Sequence, residues 1–269
     1  MDSILEDLYA GRVTPAQAKR LLKDGFLDVD GIARIDFLRP ERCAVPEIVI
    51  AEGKDYKHLR SISEKTLKQF GRVIISRIAE PQAKALVKDL RSAIKGFSDQ
   101  YSASPHTDAR GLVLREKGRK VQRTGGVVGI ITAGTSDIPV ALEAKMVLEE
   151  HGVKVLTAFD VGVAGLHRLA PVIKKWQNED IDVFIAAAGR EGTLPALVAG
   201  LVDSPVIGLP VSTGYGYGGK GEAALKSMLQ SCAPLMVVNI DAGIVAGACA
   251  LQISNKMHKK RDFQRKALR

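Results

Sequence analysis

Hydrophobic spacing changes near residue 125, and the change divides the chain. After Gly125, five short apolar runs recur at 127–131, 153–157, 183–187, 205–209 and 236–240. Each is too short for a core helix and rich in Val, Ile, Leu or Ala, as expected of strands buried on both faces. Longer helical segments separate them, beginning near Ile138-Pro139, Ala164, Gly192 and Gly219, and a last helix starts at Gly243. Strand and helix in strict alternation predict a parallel sheet with right-handed crossovers. The expected fold class is therefore α/β, a Rossmann-like, flavodoxin-type three-layer sheet.

The first third reads differently. Leu5, Leu8 and Tyr9 share one face of a short helix. Thr14-Pro15 then supplies a cap and a first helical Pro, Ala18, Leu21 and Leu22 form a stripe, and Gly25 stops it. Beyond 33–36 and an Arg- and Pro-rich loop, the pattern predicts a strand at 47–51, a helix at 55–70, a strand at 73–76 and a helix at 80–94. A strand pair follows at 101–103 and 112–114. The expected organisation is a small α+β domain (1–124), a parallel α/β domain (125–255) and a basic tail (256–269).

Composition changes this picture in three places. The formal charge is +9, yet the last fourteen residues hold seven basic residues against Asp262 alone. A solvated tail is the plainest reading, ahead of a contact with RNA, a membrane surface or phosphate. The three cysteines, Cys43, Cys232 and Cys249, make no C-x-x-C pair, and Asp2, Glu6 and Asp7 occupy the N-terminus. Both features point to a reducing cytoplasm rather than secretion. The apolar stretch 235–253 is broken by Asn239, Asp241 and Gly243, so a strand, a turn and a buried helix suit it better than a membrane span.

Ligands of open parallel sheets bind beyond the carboxyl ends of the strands. Gly134-Thr135-Ser136-Asp137 follows the first run and opens a helix, so its hydroxyls and free N–H groups suit a phosphate, or else form a plain cap. Glu191, in Gly189-Arg190-Glu191-Gly192, is a general base or a carboxylate favoured by a helix start. The loop Gly214-Tyr215-Gly216-Tyr217-Gly218-Gly219-Lys220 could close over a ligand or simply connect. Cys232 is a nucleophile or a packed thiol; Cys249 reads as core. Asp241 lines the same mouth or caps the last helix. Asp36-x-x-Arg39-x-x-Arg42 offers guanidiniums to phosphate oxygens, or forms a self-contained salt bridge.

Together these blocks resemble the LarB family. The resemblance is carried by Ala133 to Val140, Asp160 to Leu169, Glu191 to Pro195, Gly214-Tyr215-Gly216, Met228 to Cys232, Val238 to Asp241, and Asp36 to Glu47, and it spans nearly the whole chain. It implies a PurE-like C-terminal domain and the first step of nickel-pincer nucleotide cofactor synthesis. In that step nicotinic acid adenine dinucleotide is carboxylated at C5 and its phosphoanhydride is hydrolysed. The products are pyridinium-3,5-biscarboxylic acid mononucleotide and AMP.

The resemblance implies Cys232 as nucleophile and Glu191 as base. Asp36, with Mg²⁺, becomes the candidate for activating water, and Arg39 and Arg42 for holding the diphosphate. Gly134, Thr135, Ser136, Asp137, Asp160, Gly214, Tyr215, Gly216 and Asp241 are implied to bind substrate. No tightly bound cofactor, nucleic acid or membrane is expected, and a homo-octamer is. Two other readings are a PurE-type aminoimidazole ribonucleotide carboxylase and a non-catalytic nucleotide- or RNA-binding protein. PurE proteins carry Ala-His-Arg where this chain has Ala158-Phe159-Asp160, which speaks against the purine carboxylase. Ala44, Lys220 and Ala242-Gly243-Ile244-Val245 also depart from the LarB pattern.

Overall fold

The computed structural model describes residues 2–36, 38–106 and 109–267. It comprises two compact units, residues 1–120 and 121–269.

In the first unit, α1 (Asp2–Tyr9) and α2 (Pro15–Asp24) form a pair whose core is Ile4, Val13, Ala18 and Leu21. Ile4, not Tyr9, anchors the first helix; Tyr9 is exposed. A capping box starts α2: Gln17 N–H donates to the Thr14 hydroxyl and the Gln17 side chain accepts from Thr14 N–H. Gly25 ends it in the left-handed conformation. A hairpin of β1 (Leu27–Val29) and β2 (Ala33–Ile35) follows, then α3 (Arg39–Cys43), where sequence alone suggests only loop.

The main sheet of this unit contains β3 (Val49–Ile50), β4 (Arg72–Ser76), β5 (Tyr101–His106) and β6 (Gly111–Glu116), in the order β3-β4-β6-β5. Helices α4 (Tyr56–Phe70) and α5 (Glu80–Ala93) bury Leu59, Leu67, Leu86 and Leu90 with Val73, Ile75, Leu112 and Leu114 of the sheet. A short α6 (Phe97–Gln100) precedes β5.

The second unit is the expected three-layer α/β fold. Its strands β7 (Val127–Thr132), β8 (Lys154–Ala158), β9 (Val183–Ala188), β10 (Val206–Pro210) and β11 (Leu235–Val237) are all parallel, in the order β11-β10-β9-β7-β8. Helices α8 (Leu166–Trp176), α9 (Thr193–Ala199) and α10 (Glu222–Leu229) bury one face through Leu169, Ile173, Trp176, Leu194, Val198 and Met228. The crossover helix α7 (Ile138–Glu149), between β7 and β8, and the terminal helix α11 (Gly243–Ala267) cover the other face, where they pack together. The chain leaves β7 for β8 on one side, then returns past it to β9. That reversal opens a crevice at the carboxyl ends of β7 and β9.

Residues 256–267, set apart in sequence as a basic tail, continue α11 without a break. One buried acid fixes this helix. The Asp182 carboxylate accepts from Val127 N–H (2.9 Å), the Ser254 hydroxyl (2.8 Å) and the Arg261 guanidinium (2.6 Å). It therefore ties the start of β7 to two turns of α11. No helix among the described residues is long and apolar enough to cross a membrane.

Removing Asp182 takes the acceptor from Val127 N–H and the Ser254 hydroxyl and leaves the Arg261 guanidinium with the longer contact to Asp180 (3.5 Å). Asp182→Ala should cost about 3 kcal/mol of stability, read as a lower urea midpoint; a midpoint equal to the wild type's would show that α11 docks by its apolar contacts alone.

Candidate active site

A cavity of about 270 Å³ lies at the β7/β9 crevice, walled by Gly134, Ser136 and Asp137 from the loop after β7 and by Arg190, Glu191 and Gly192 after β9. Thr213, Gly214 and Tyr215 after β10 and Arg168 of α8 close it. Asp137 is its structural centre. Its carboxylate is buried and accepts from Gly134 N–H (2.9 Å), the Thr213 hydroxyl (3.3 Å) and Gly189 N–H. One side chain thus joins the loops that follow β7, β9 and β10. Burial pushes the Asp137 carboxyl above its ordinary range and the negative charge of Glu191 pushes the same way, while its three hydrogen bonds oppose both.

This closeness needs glycine on the facing loops. A Cβ on Gly189 would stand 2.7 Å from Thr213 Oγ1 and 2.9 Å from Asp137 Oδ1, and one on Gly214 would overlap the Gly189 carbonyl oxygen. Neither position tolerates a side chain without moving the loops apart.

Two cations border the cavity differently. Arg168 Nη1 donates to Asp160 Oδ2 (2.7 Å), while its Nε is buried without a hydrogen-bond partner among the described residues. An unpaired buried donor beside a cavity awaits an acceptor. The Arg190 guanidinium lies over the Tyr215 ring, 4.7 Å from its centroid, a cation–π contact joining the loops after β9 and β10.

The remaining expected residues divide. Asp160 stands beside the cavity in the left-handed region (φ 56°) and reaches it through Arg168; its N–H donates to Thr132 Oγ1 (3.2 Å). Asp241 is not among the lining residues. Its Oδ1 accepts from Ser212 N–H (2.9 Å) and its N–H donates to the Pro210 carbonyl (2.9 Å), so it braces the loops after β10 and β11. Thr135 and Gly216 likewise fall outside the lining, although their loops enter it.

Cys232 is not among the residues that line this cavity. It is exposed, but it lies between α10 and β11, at the amino-terminal edge of the sheet. Glu191 follows β9, at the carboxyl edge. A five-residue strand such as β10 separates the two edges by about 16 Å, so one chain does not bring both groups into this cavity. Cys249 is half-buried on α11.

In the first unit, Asp36, Arg39 and Arg42 form the self-contained arrangement. Nη1 and Nη2 of Arg42 donate to the two carboxylate oxygens of Asp36, and Arg39 Nη1 donates to Glu47 Oε2 (3.2 Å). The Arg42 hydrogen bonds hold the Asp36 carboxyl below its ordinary range, so in this state it is a weak base. Among the described residues no three His, Cys, Asp or Glu side chains gather as a metal site, and Asp36 is engaged by Arg42.

Sequence reading does not single out Arg168, Thr213 or Gly189 as site residues. Arg168 and Gly189 sit inside blocks already noted at strand ends, whereas Thr213 acts through a hydrogen bond that it donates to Asp137, 76 positions away.

With this geometry in view, comparison with known proteins places the chain. Residues 127–267 match the AIR carboxylase family, and residues 26–112 match the LarB/PurE-like N-terminal domain. An uncharacterized protein of Methanocaldococcus jannaschii is 39% identical over 90% of this chain and 91% of its own length. N5-carboxyaminoimidazole ribonucleotide mutases are similar to the second unit alone. That of M. jannaschii is 37% identical over 47% of this chain and 78% of its own length, and that of Pyrococcus horikoshii 35% identical over 47% and 71%. The crystal structure of Treponema denticola PurE is 18% identical, covers 53% of this chain and 94% of its own, and has a TM-score of 0.38. The second unit thus defines a PurE-related protein of the carboxylase type. With its N-terminal unit, the chain belongs to the LarB family.

Because folded Asp137 holds its proton to higher pH than the unfolded chain does, ionising it weakens the fold. The penalty is absent in strong acid and grows as pH rises through the raised folded value. The melting temperature of Asp137→Asn minus that of the wild type should therefore rise between about pH 3 and about pH 7; a difference independent of pH would mean that Asp137 ionises at no cost.

Proposed function

We propose that this protein carboxylates the pyridinium ring of nicotinic acid adenine dinucleotide and cleaves its phosphoanhydride. The observation that carries the reading is the switch-point cavity, where Glu191 stands beside the Gly134 loop and the unpaired Nε of Arg168. An anionic group on the substrate would satisfy that donor and the loop N–H groups, leaving Glu191 at the ring.

A pyridinium ring is electron-poor, so its C5 does not attack carbon dioxide. Addition of the Cys232 thiolate at C4 forms a C–S bond and gives a neutral, enamine-like dihydropyridine. C5 then attacks carbon dioxide, and the new C–C bond restores the ring's positive charge. Glu191 removes the C5 proton; that electron pair re-forms the ring π-system through loss of the thiolate from C4. In the second reaction, water attacks phosphorus, the P–O–P linkage breaks, and the mononucleotide and AMP separate. A diphosphate drawing Arg39 and Arg42 away from Glu47 and Asp36 would relieve the Asp36 carboxylate of its hydrogen bonds and let it act as base toward that water.

Since Cys232 and Glu191 occupy opposite edges of one sheet, the reading needs a second copy: Cys232 of one chain working in the cavity of another. A homo-oligomer, taken here as an octamer, supplies it.

The test combines purified protein with nicotinic acid adenine dinucleotide and ¹³C-bicarbonate, followed by mass spectrometry. The expected products are AMP and a mononucleotide carrying one labelled carboxylate, and Cys232→Ala should form neither the labelled product nor a cysteinyl adduct. Label appearing only with aminoimidazole ribonucleotide would instead establish the purine carboxylase. Co-assembled Cys232→Ala and Glu191→Gln chains, each inactive alone, should regain about a quarter of the wild-type rate if each site takes the two groups from different chains. No recovery would overturn the shared site.

A further inference from the structure

We infer that the first unit carries a separate binding groove for a phosphorylated nucleoside, independent of the cavity in the second unit. The groove measures about 620 Å³, within the range of small-molecule sites, and runs between α5 and the strand pair β5–β6. Its origin is visible in side-chain size. On the sheet face that α5 covers, β5 presents Ala103 and Pro105, and β6 begins at Gly111. Opposite them α5 and its cap present Ala79 and Ala83. Small residues on both walls leave a slot where leucines would close the packing, as Leu86 and Leu90 do one face away. A narrow slot with apolar walls suits a flat ring entering edge-on.

The rim supplies the complementary charge. Lys84, Lys88 and Arg91 stand one helical turn apart along the edge of α5, and Arg110 stands at the other wall. Lys84 is bonded to Glu80 (2.6 Å) and Arg110 lies 3.9 Å from Glu52. Lys88 and Arg91 are exposed, with no ion pair among the described residues. Two uncompensated cations beside an apolar slot call for a ligand with a flat apolar body and a dianionic group, which a nucleoside monophosphate provides. Arg110 is also held in the left-handed region (φ 48°), bonded through its carbonyl to Ile78 N–H, so the end of the groove is fixed rather than adaptable.

Titration calorimetry on the full chain tests this with AMP, adenosine and inorganic phosphate as separate probes. AMP should bind saturably. Lys88→Ala with Arg91→Ala should weaken it at least tenfold without changing the melting temperature. Ala103→Leu, which fills the slot, should abolish it. Adenosine should bind at least tenfold more weakly than AMP, and phosphate alone should not saturate. Binding lost in Arg168→Ala but unchanged in the Lys88, Arg91 and Ala103 variants would assign AMP to the other cavity and overturn the proposal. So would phosphate binding as tightly as AMP, or no saturable binding at all. None of these outcomes depends on carboxylation, so the groove and the proposed reaction stand or fall separately.

Discussion

A buried carboxylate is costly unless every lone pair is used, and the second unit is organised around that requirement at Asp137. Its partners come from three loops that are distant in sequence: Gly134 after β7, Gly189 after β9 and Thr213 after β10. Loops at the mouth of a parallel sheet are otherwise free to vary. Here each is held to the others by a group that cannot be left unpaired. The relative placement of the three loops that wall the cavity is therefore a consequence of satisfying one acid.

The opposite edge of the sheet follows the same rule with a different effect. Asp182 gathers Val127, Ser254 and Arg261, and so decides where the C-terminal helix lies. Residues at the amino edge define the framework, and residues at the carboxyl edge define the chemistry. Cys232 crosses that division. An exposed thiol on the framework edge lies outside the switch-point cavity of its own chain, which is why the proposed reaction leads to an assembly rather than to a monomer.

Much of this was legible in sequence, and the reasons differ by region. The three inner strands β7, β9 and β10 are buried on both faces, and short runs of Val, Ile and Ala marked them within a residue or two; the half-exposed edge strands β8 and β11 were legible from the same apolar runs, although β11 ends at Val237 rather than at 240. The caps of α2 at Thr14 and Gly25 were equally clear, since local hydrogen bonds decide them. Helix α3 was missed because Pro40 stands in a segment of turn-forming composition, yet that Pro occupies the first turn, where its missing N–H costs nothing. The site was legible as a set of strand ends, not as contacts. Pairing of Asp137 with Thr213 is a tertiary fact, and whether Arg42 faces a ligand or Asp36 depends on geometry that residue spacing does not encode. The edge on which Cys232 falls follows from chain order, because Cys232 precedes β11 whereas Glu191 follows β9.

The stack of Arg190 on Tyr215 has a bearing on Glu191, its neighbour in the chain. A guanidinium next in sequence to a carboxylate would ordinarily be drawn to it. Parked on an aromatic face, Arg190 spends its charge on a quadrupole instead. The loop after β10 thereby acts as a perch: it holds a cation at the mouth of the cavity on an aromatic face.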